Sequence, residues 1–416
     1  MQRLQLVLNT RITEARVGVR ILAPMPRSTP PPRVLLLVTA RLTGTETTSA
    51  SGPRRDFAVL REVLGATVLD HAAVERSPTA RAIARVAGVA VAQAWLALRA
   101  RRAYDVIISD GEHIGIPLAC LLKLHRARLA HVVIGHRIGA AKKRPFFRLL
   151  KVHSHISRIA LHAQRQFDIG VADLGIAAEH MALIPYQVDA DFWRPRPAVQ
   201  EERLVCSAGL EFRDYATLLR AIDGLDAQVV IGAASHWSKR RIGAQLAHCP
   251  PNVRVDAFDY GALRELYARS AIVVVPLEDT DFQAGVTTIL EAMSMAKPVV
   301  VTHTQGQTDV VEDRRAVTRG RHPRRRPVSF LRRLAGQAGV ELEPSGFYVP
   351  PGDPDALRQA VVYLLDHPAE RRRLGMAGRR TVERLATVDH FAARMRDLVD
   401  QSLRGTRRPL EPTRAH

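Results

Sequence analysis

Cysteine is nearly absent from this chain. Cys120, Cys206 and Cys249 are the only three in 416 residues, scattered and odd in number. No CxxC pair and no Cys/His ligand spacing surrounds them, so neither a disulfide framework nor a structural zinc is expected, and a reducing compartment fits. Long apolar runs are missing too. The longest, Val86 to Leu98, contains Gln93 and falls short of the roughly 20 residues that cross a bilayer. Charges break every apolar stretch of the first thirty residues, so no secretory leader is read there. The expectation is a cytoplasmic chain, soluble or peripheral, not integral. Aromatic residues make up only 5% and no nucleic-acid motif appears, so no nucleic-acid partner is expected. Acid is scarce against base: 41 Asp plus Glu face 61 Lys plus Arg, a formal net charge of +20. Lysine is scarcer still, at six of those 61. Two readings stay open. The charge serves an anionic partner such as phosphorylated ligands or a membrane surface, or it reflects GC-rich coding that drifts Arg onto solvated faces.

What is present is ordinary globular material, 46% hydrophobic and 25% charged, long enough for two or three domains. Residues 1–32 are poorly patterned, end in Pro30-Pro31-Pro32, and read as an N-terminal extension. Apolar runs at 34–38, 106–108 and 131–134 then alternate with helix-period segments at 56–64 and 115–125. A second series follows, with strands expected at 203–208, 228–232, 252–257, 271–276 and 298–302. Helices are expected at 214–223, 261–269, 286–296 and 355–366, and in the tail from 368 to 403. Continuously apolar strands alternating with helices imply doubly wound parallel sheets. The fold class is therefore α/β, with two Rossmann-like domains facing each other. Their expected bounds are 33–195 and 196–386, followed by a C-terminal helix and tail at 387–416. The proline-punctuated run Asp191-Phe192-Trp193-Arg194-Pro195 reads as a hinge near 190–200. Residues 314–343 read as a basic surface insertion. Residues 137–158 interleave Lys142, Lys143, Arg144, Arg148 and Lys151 with Phe146, Phe147, Leu149 and Leu150. Such a segment either lies on an anionic bilayer or turns its apolar face into the core.

The most informative stretch runs from Asp281 through Gln283, Gly285, Val286, Thr287, Thr288 and Glu291 to Pro298-Val299. Gly285 stands where a loop becomes a helix. Glycine allows close backbone approach to a ligand, and the first N–H groups of a helix are unpaired. Together with the macrodipole they suit a phosphate. Thr287 and Thr288 add hydroxyls, and Glu291 lies on their face by i+4 and i+3 spacing.

This stretch resembles the signature of retaining glycosyltransferases of the GT-B fold, glycosyltransferase family 4 in particular: a Glu, seven residues, a second Glu followed by Ala-Met, then Pro-Val. Here these are Gln283, Glu291, Ala292-Met293 and Pro298-Val299. The resemblance continues in Gly346–Pro354, in Ile184-Pro185 with Val188-Asp189, and in Cys206-Ser207-Ala208-Gly209 with Arg213-Asp214-Tyr215. It implies transfer of a sugar, of the hexosyl class, from a nucleotide-diphosphate sugar with retention of configuration and no resident cofactor or metal. The expected setting is bacterial glycolipid or cell-envelope polysaccharide synthesis; the acceptor is lipid-linked or a saccharide, and the basic patch at 137–158 favours a lipid-linked one at an anionic inner membrane face. By the same resemblance Glu291 binds the nucleotide ribose and Gln283 meets the donor sugar. Gly209, Gly285, Val286, Thr287 and Thr288 line the diphosphate and sugar, and Arg213 clamps the diphosphate. The clamp's other cation is replaced by Leu210, with Arg240 or Arg241 as substitutes. His136, at a strand end, is implied to orient the reacting sugar. Glu112 or His113, after another strand, are the acceptor-side candidates, and the loop Thr43–Arg55 after the first strand is a further candidate contact to the acceptor or the donor pyrophosphate. A homologue that keeps the fold but has lost turnover is the alternative, since Gln283 and Leu210 depart from the pattern.

Overall fold

Runs such as Val34–Leu37 and Ile272–Val275 are apolar throughout and buried along their whole length. Strands of that kind need cover on both faces, which helices flanking a parallel sheet supply. The computed structural model describes residues 30–42, 52–232, 249–314 and 330–407. The readings placed on residues 1–29, on most of the loop at 43–55, on Arg240 and Arg241, and on 315–329 fall outside these.

Two six-stranded sheets form the frame. The first holds β1 (Val34–Leu37), β2 (Thr67–Leu69), β3 (Val106–Ser109), β4 (Ala130–Gly135), β5 (Arg158–Leu161) and β6 (Met181–Leu183) in the order β2-β1-β3-β4-β5-β6. The second holds β7 (Leu204–Ala208), β8 (Gln228–Gly232), β9 (Val253–Asp256), β10 (Ile272–Val275), β11 (Val299–Thr302) and β12 (Gly346–Val349) in the order β12-β11-β10-β7-β8-β9. All pairings within them are parallel. The first sheet reverses its winding between β1 and β3, the second between β7 and β10. Open α/β sheets bind ligands beyond the carboxyl ends of their strands at such reversals.

Most expected helices appear within a residue or two, among them Asp56–Leu64, Tyr215–Ile222, Tyr260–Arg269 and Pro354–Asp366. The helix expected at 115–125 instead spans Glu112–Leu124, because Gly111, at φ 114°, makes the turn out of β3. The tail splits into Pro368–Leu385 and Val388–Arg407. The last helix returns to the first sheet, where Phe391, Met395, Leu398 and Val399 join Val34, Leu36, Val106 and Val132 in one core.

Two expectations are revised. The segment 190–194 is not a free hinge. Phe192 and Trp193 are buried in the second domain's core, and Arg379 Nη1 donates to the carbonyls of Ala190 and Trp193 at 3.0 Å. The crossing is two-stranded and lies earlier: Val188 N–H donates to Ala386 at 2.9 Å, and Val388 N–H donates back to Val188 at 3.0 Å. Residues 137–158 are not one amphipathic helix. A turn at Ala141–Lys143, a single helical turn and a half at Arg144–Arg148, and a turn at Val152–His155 follow one another. Phe147 and Val152 enter the core while Leu149 and Leu150 point outward. The described part of the basic insertion is anchored rather than loose: Leu331 and Ala335 pack on Leu385.

Candidate active site

Both winding reversals open onto the same cavity of about 460 Å³, a volume in the range of ligand pockets. From the first sheet come residues beyond β1 (Val38, Thr39, Ala40), Asp110 beyond β3 and His136 beyond β4. From the second come Gly209, Leu210 and Arg213 beyond β7, and Gly285, Thr287, Thr288 and Glu291 at the helix reached from β10.

The second-domain wall is built by two glycines and an arginine. Gly209 has φ 99° and Gly285 has φ 74°, values in the left-handed region that glycine alone adopts readily. A Cβ on Gly209 would stand 2.5 Å from Arg213 Nη2, and one on Gly285 would stand 2.7 Å from Val275 Cγ1 and 3.2 Å from Arg213 Nη1. Both glycines therefore make room for Arg213, which is 4% exposed. Its Nε donates to Ala208 O at 3.0 Å, Nη1 to Glu211 O at 2.8 Å and Nη2 to Thr288 Oγ1 at 3.2 Å. Burial lowers its pKa from the ordinary range. Five N–H donors in a fixed fork leave two for a ligand.

Gly285 also starts the helix Val286–Ser294 and has no side-chain cap. The N–H groups of Val286, Thr287 and Thr288 are thus the free donors of a positive helix end. Thr287 is exposed and lines the cavity together with Tyr186. Glu291, 6% exposed, accepts from the Tyr267 hydroxyl at 3.2 Å. Burial raises its pKa to about 8 against the opposing pull of that hydroxyl, Arg213 and Arg55.

Gln283 lies in the loop just before this helix, beside the cavity rather than in its wall. Its Oε1 is buried with no hydrogen-bond partner among the described residues, a state that costs about 1–3 kcal/mol until a donor arrives. The loop itself is gripped from the first domain. Arg137 Nε meets Asp281 Oδ1 at 2.9 Å, its guanidinium lies 4.9 Å from the Phe282 ring centre, and Gln166 Nε2 donates to Asp281 O at 2.7 Å.

On the first-domain side the acceptor-side candidates stand apart from the cavity wall. Glu112 does not line the cavity. It is 2% exposed and accepts from the N–H of His136 at 3.1 Å, the N–H of Arg137 at 2.7 Å and Lys143 Nζ at 2.6 Å. Burial alone would raise its pKa, but the charges of His136 and Lys143 and the bond from Lys143 bring it down to about 2. Glu112 staples the loop that carries His136. His113 is exposed and does not line the cavity either. Asp110, three residues earlier, does. Burial and the neighbouring Asp56 and Glu112 raise its pKa to about 8. His136 reaches the cavity and packs 5.6 Å from the ring of His162.

Pro53, Arg54 and Arg55, from the end of the loop after the first strand, stand in the wall, while Asp56, Tyr186 and Tyr260 were not singled out from sequence. Arg54 spans the crossing, bonded to Asp189 at 3.2 Å, Asp191 at 3.3 Å and Asp389 at 3.2 Å. Arg55 lies 5.3 Å from the Tyr260 ring centre and adds a second cation near Glu291. Leu210, by contrast, brings only apolar surface to the cavity. No spacing rule could have joined residues 54–56 to a site some 230 positions downstream.

Residues 202–367 match the family model described as Glycosyl transferases group 1. No curated protein matches the sequence. Among solved structures, the chain is similar to a sucrose-phosphate synthase from Thermosynechococcus elongatus, with a TM-score of 0.61 and 18% identity over 90% of this chain and 100% of that one. It is similar to HepE from Anabaena, solved with UDP and glucose, with a TM-score of 0.60 and 14% identity over 89% and 99%. A glycosyltransferase from Rickettsia africae gives a TM-score of 0.60 and 14% identity over 89% and 98%. At these identities the likeness is one of fold, and the fold is GT-B.

Proposed function

We propose that this chain, a GT-B glycosyltransferase whose second half is a group 1 domain, transfers a sugar from a nucleotide-diphosphate sugar to a hydroxyl acceptor with retention of configuration. The observation that carries the reading is the convergence of Arg213, the uncapped helix start at Gly285 and the buried Glu291 on one cavity shared by both sheets. A diphosphate fits between the Arg213 fork and the N–H groups of residues 286–288. Glu291 then stands one turn deeper, where ribose hydroxyls would replace water around its carboxyl. Gln283 stands beside that space, and we assign its unpartnered Oε1 to a donor-sugar hydroxyl once the side chain turns into the cavity; His136 faces the cavity from the other sheet. HepE was solved with UDP-glucose, which supports a nucleotide-sugar donor here.

In the transfer the C1–O bond to the diphosphate breaks as C1 bonds to the acceptor oxygen. The acceptor proton passes to the leaving diphosphate. Arg213 and the helix start stabilise the charge that builds there, as preorganised donors. Arg55 supplies the second cation that Leu210 does not. Asp110 takes the acceptor-side role first assigned to Glu112 and His113, facing the incoming hydroxyl from beyond β3. We assign the acceptor to the lipid-linked or saccharide class and the setting to cell-envelope or glycolipid synthesis, with the chain acting in the cytoplasm or at an inner membrane face.

The test is a thermal-shift panel of UDP-, GDP-, ADP- and dTDP-sugars on the wild type and Glu291→Ala. Stabilisation by one nucleotide, lost in the variant, is expected. No shift with any donor would favour a chain that has kept the fold and lost the chemistry, the reading to which Gln283 and Leu210 point.

A further inference from the structure

We infer that one flank of the first domain, where the end of the Glu112–Leu124 helix meets residues 148–151, is a docking surface for an anionic phospholipid bilayer. The sequence contains no Asp or Glu from His113 to Phe167. Within that stretch the fold brings together side chains distant in sequence. Lys123 Nζ donates to Leu150 O at 2.7 Å and to Lys151 O at 3.4 Å, which fixes the loop against the helix end. Three leucines stand out from this junction: Leu124 and Leu149, each 78% exposed, and Leu150, 52% exposed. Burial of Phe147 at 1% exposure shows that the segment had a core to enter and that the leucines were left out of it. Lys123, Arg126, Arg148 and Lys151 surround them, all exposed.

Backbone geometry adds an independent observation. Arg126 and Lys151 have φ of 48° and 46°. Arg126 closes the helix at a left-handed position where glycine is the usual choice. A long cation at such a site carries a conformational cost. Two of the described non-glycine residues with positive φ fall on the two segments that meet here.

The chemistry identifies the occupant. Leucines reach hydrocarbon below the headgroups while flanking Lys and Arg meet anionic lipid, the combination that holds a peripheral protein on a bilayer. A nucleic acid would call for cations with stacking rings rather than aliphatic tips. At the other end of the same loop, Lys143 bonds Glu112 beneath His136. The loop therefore leads from the bilayer contact to the rim of the cavity, about 20 Å away along a helix of 13 residues.

The experiment measures partition of the full chain between solution and vesicles of phosphatidylcholine, alone or mixed with phosphatidylglycerol. Binding to the mixed vesicles only is expected. Arg148→Glu/Lys151→Glu should lower it by at least about five-fold per cation, and Leu149→Ser/Leu150→Ser by about tenfold. Both variants change exposed residues outside the cavity, so nucleotide-induced thermal shifts should match the wild type. Loss of those shifts in a variant would implicate the donor site, whereas a wild type that gives the shifts but binds no vesicles would overturn the docking surface alone. Undiminished binding by the leucine variant, or equal binding to neutral vesicles, would also overturn it. So would capture of duplex DNA in preference to mixed vesicles.

Discussion

Glu112 and Glu291 invite comparison. Each begins or lines a helix at the cavity, one in either domain, and they are 2% and 6% exposed. Their surroundings drive them in opposite directions. Glu112 has Lys143 and two backbone N–H donors, so its charge is matched and its pKa falls to about 2. Glu291 has one neutral hydroxyl, from Tyr267, and its pKa rises to about 8. A buried carboxylate whose bonds are all made within the protein is part of the scaffold. One left short of partners, in the wall of a cavity, keeps acceptor capacity that the protein does not fill. Burial and residue type are the same in both; only the accounting of donors separates them.

The comparison breaks hardest at Glu112. Replacing it by Ala removes the partner of Lys143 and frees the loop carrying His136 and Arg137. Breaking a buried pair from one side costs about 3–5 kcal/mol, so Glu112→Ala should lose stability on that scale in urea unfolding. Glu291→Ala should lose far less, because no buried cation depends on it alone. Next comes Arg213, which the donor wall is shaped around. Arg213→Ala should lower the transfer rate by about 10²–10³, the usual effect of removing one charge-stabilising donor, measured as product formed under saturating donor. Full activity in that variant would remove Arg213 from the mechanism.

Legibility in the sequence followed the same line between local and distant partners. The second domain could be read because its site is largely local. Gly285 to Glu291 is one helix start, and Gly209 to Arg213 one loop, so spacing placed the side chains. Strands β10, four apolar residues, and β11, three valines followed by Thr302, announced themselves as apolar runs. The first domain was harder. β2 and β6 are three-residue strands, too short for any periodicity to register. The apolar run at 86–98 became two helices parted at Gly88. Glu112 and Asp110 are both carboxylic side chains two residues apart, and only the position of Lys143 tells which is already satisfied. Arg54 and Arg55 reach the cavity through tertiary packing alone. The return of the Val388–Arg407 helix to the first sheet was hidden for the same reason. Its apolar stripe shows that it packs, not on what.

The smallest expected effect is also the cleanest separation of the two glutamates, because it reverses sign. Glu112 has a folded pKa below the ordinary 4.5, so folding releases its proton more readily than the unfolded chain does. Its contribution is full above about 4.5 and is lost as pH falls toward about 2. Glu291 has a folded pKa above 4.5, so the folded state keeps a proton that the unfolded chain gives up. Stability from that site is full below about 4.5 and declines as pH rises toward about 8. Urea midpoints measured from acid to alkaline pH should therefore show a flatter alkaline limb in Glu291→Gln and a flatter acid limb in Glu112→Gln. A bound donor whose hydroxyls partner the Glu291 carboxylate would lower its pKa and flatten the alkaline limb of the wild type as well. That makes the limb a reporter of ligand at this position. An alkaline limb unchanged by Glu291→Gln would mean that the carboxyl is already partnered without ligand, and the contrast with Glu112 would fail.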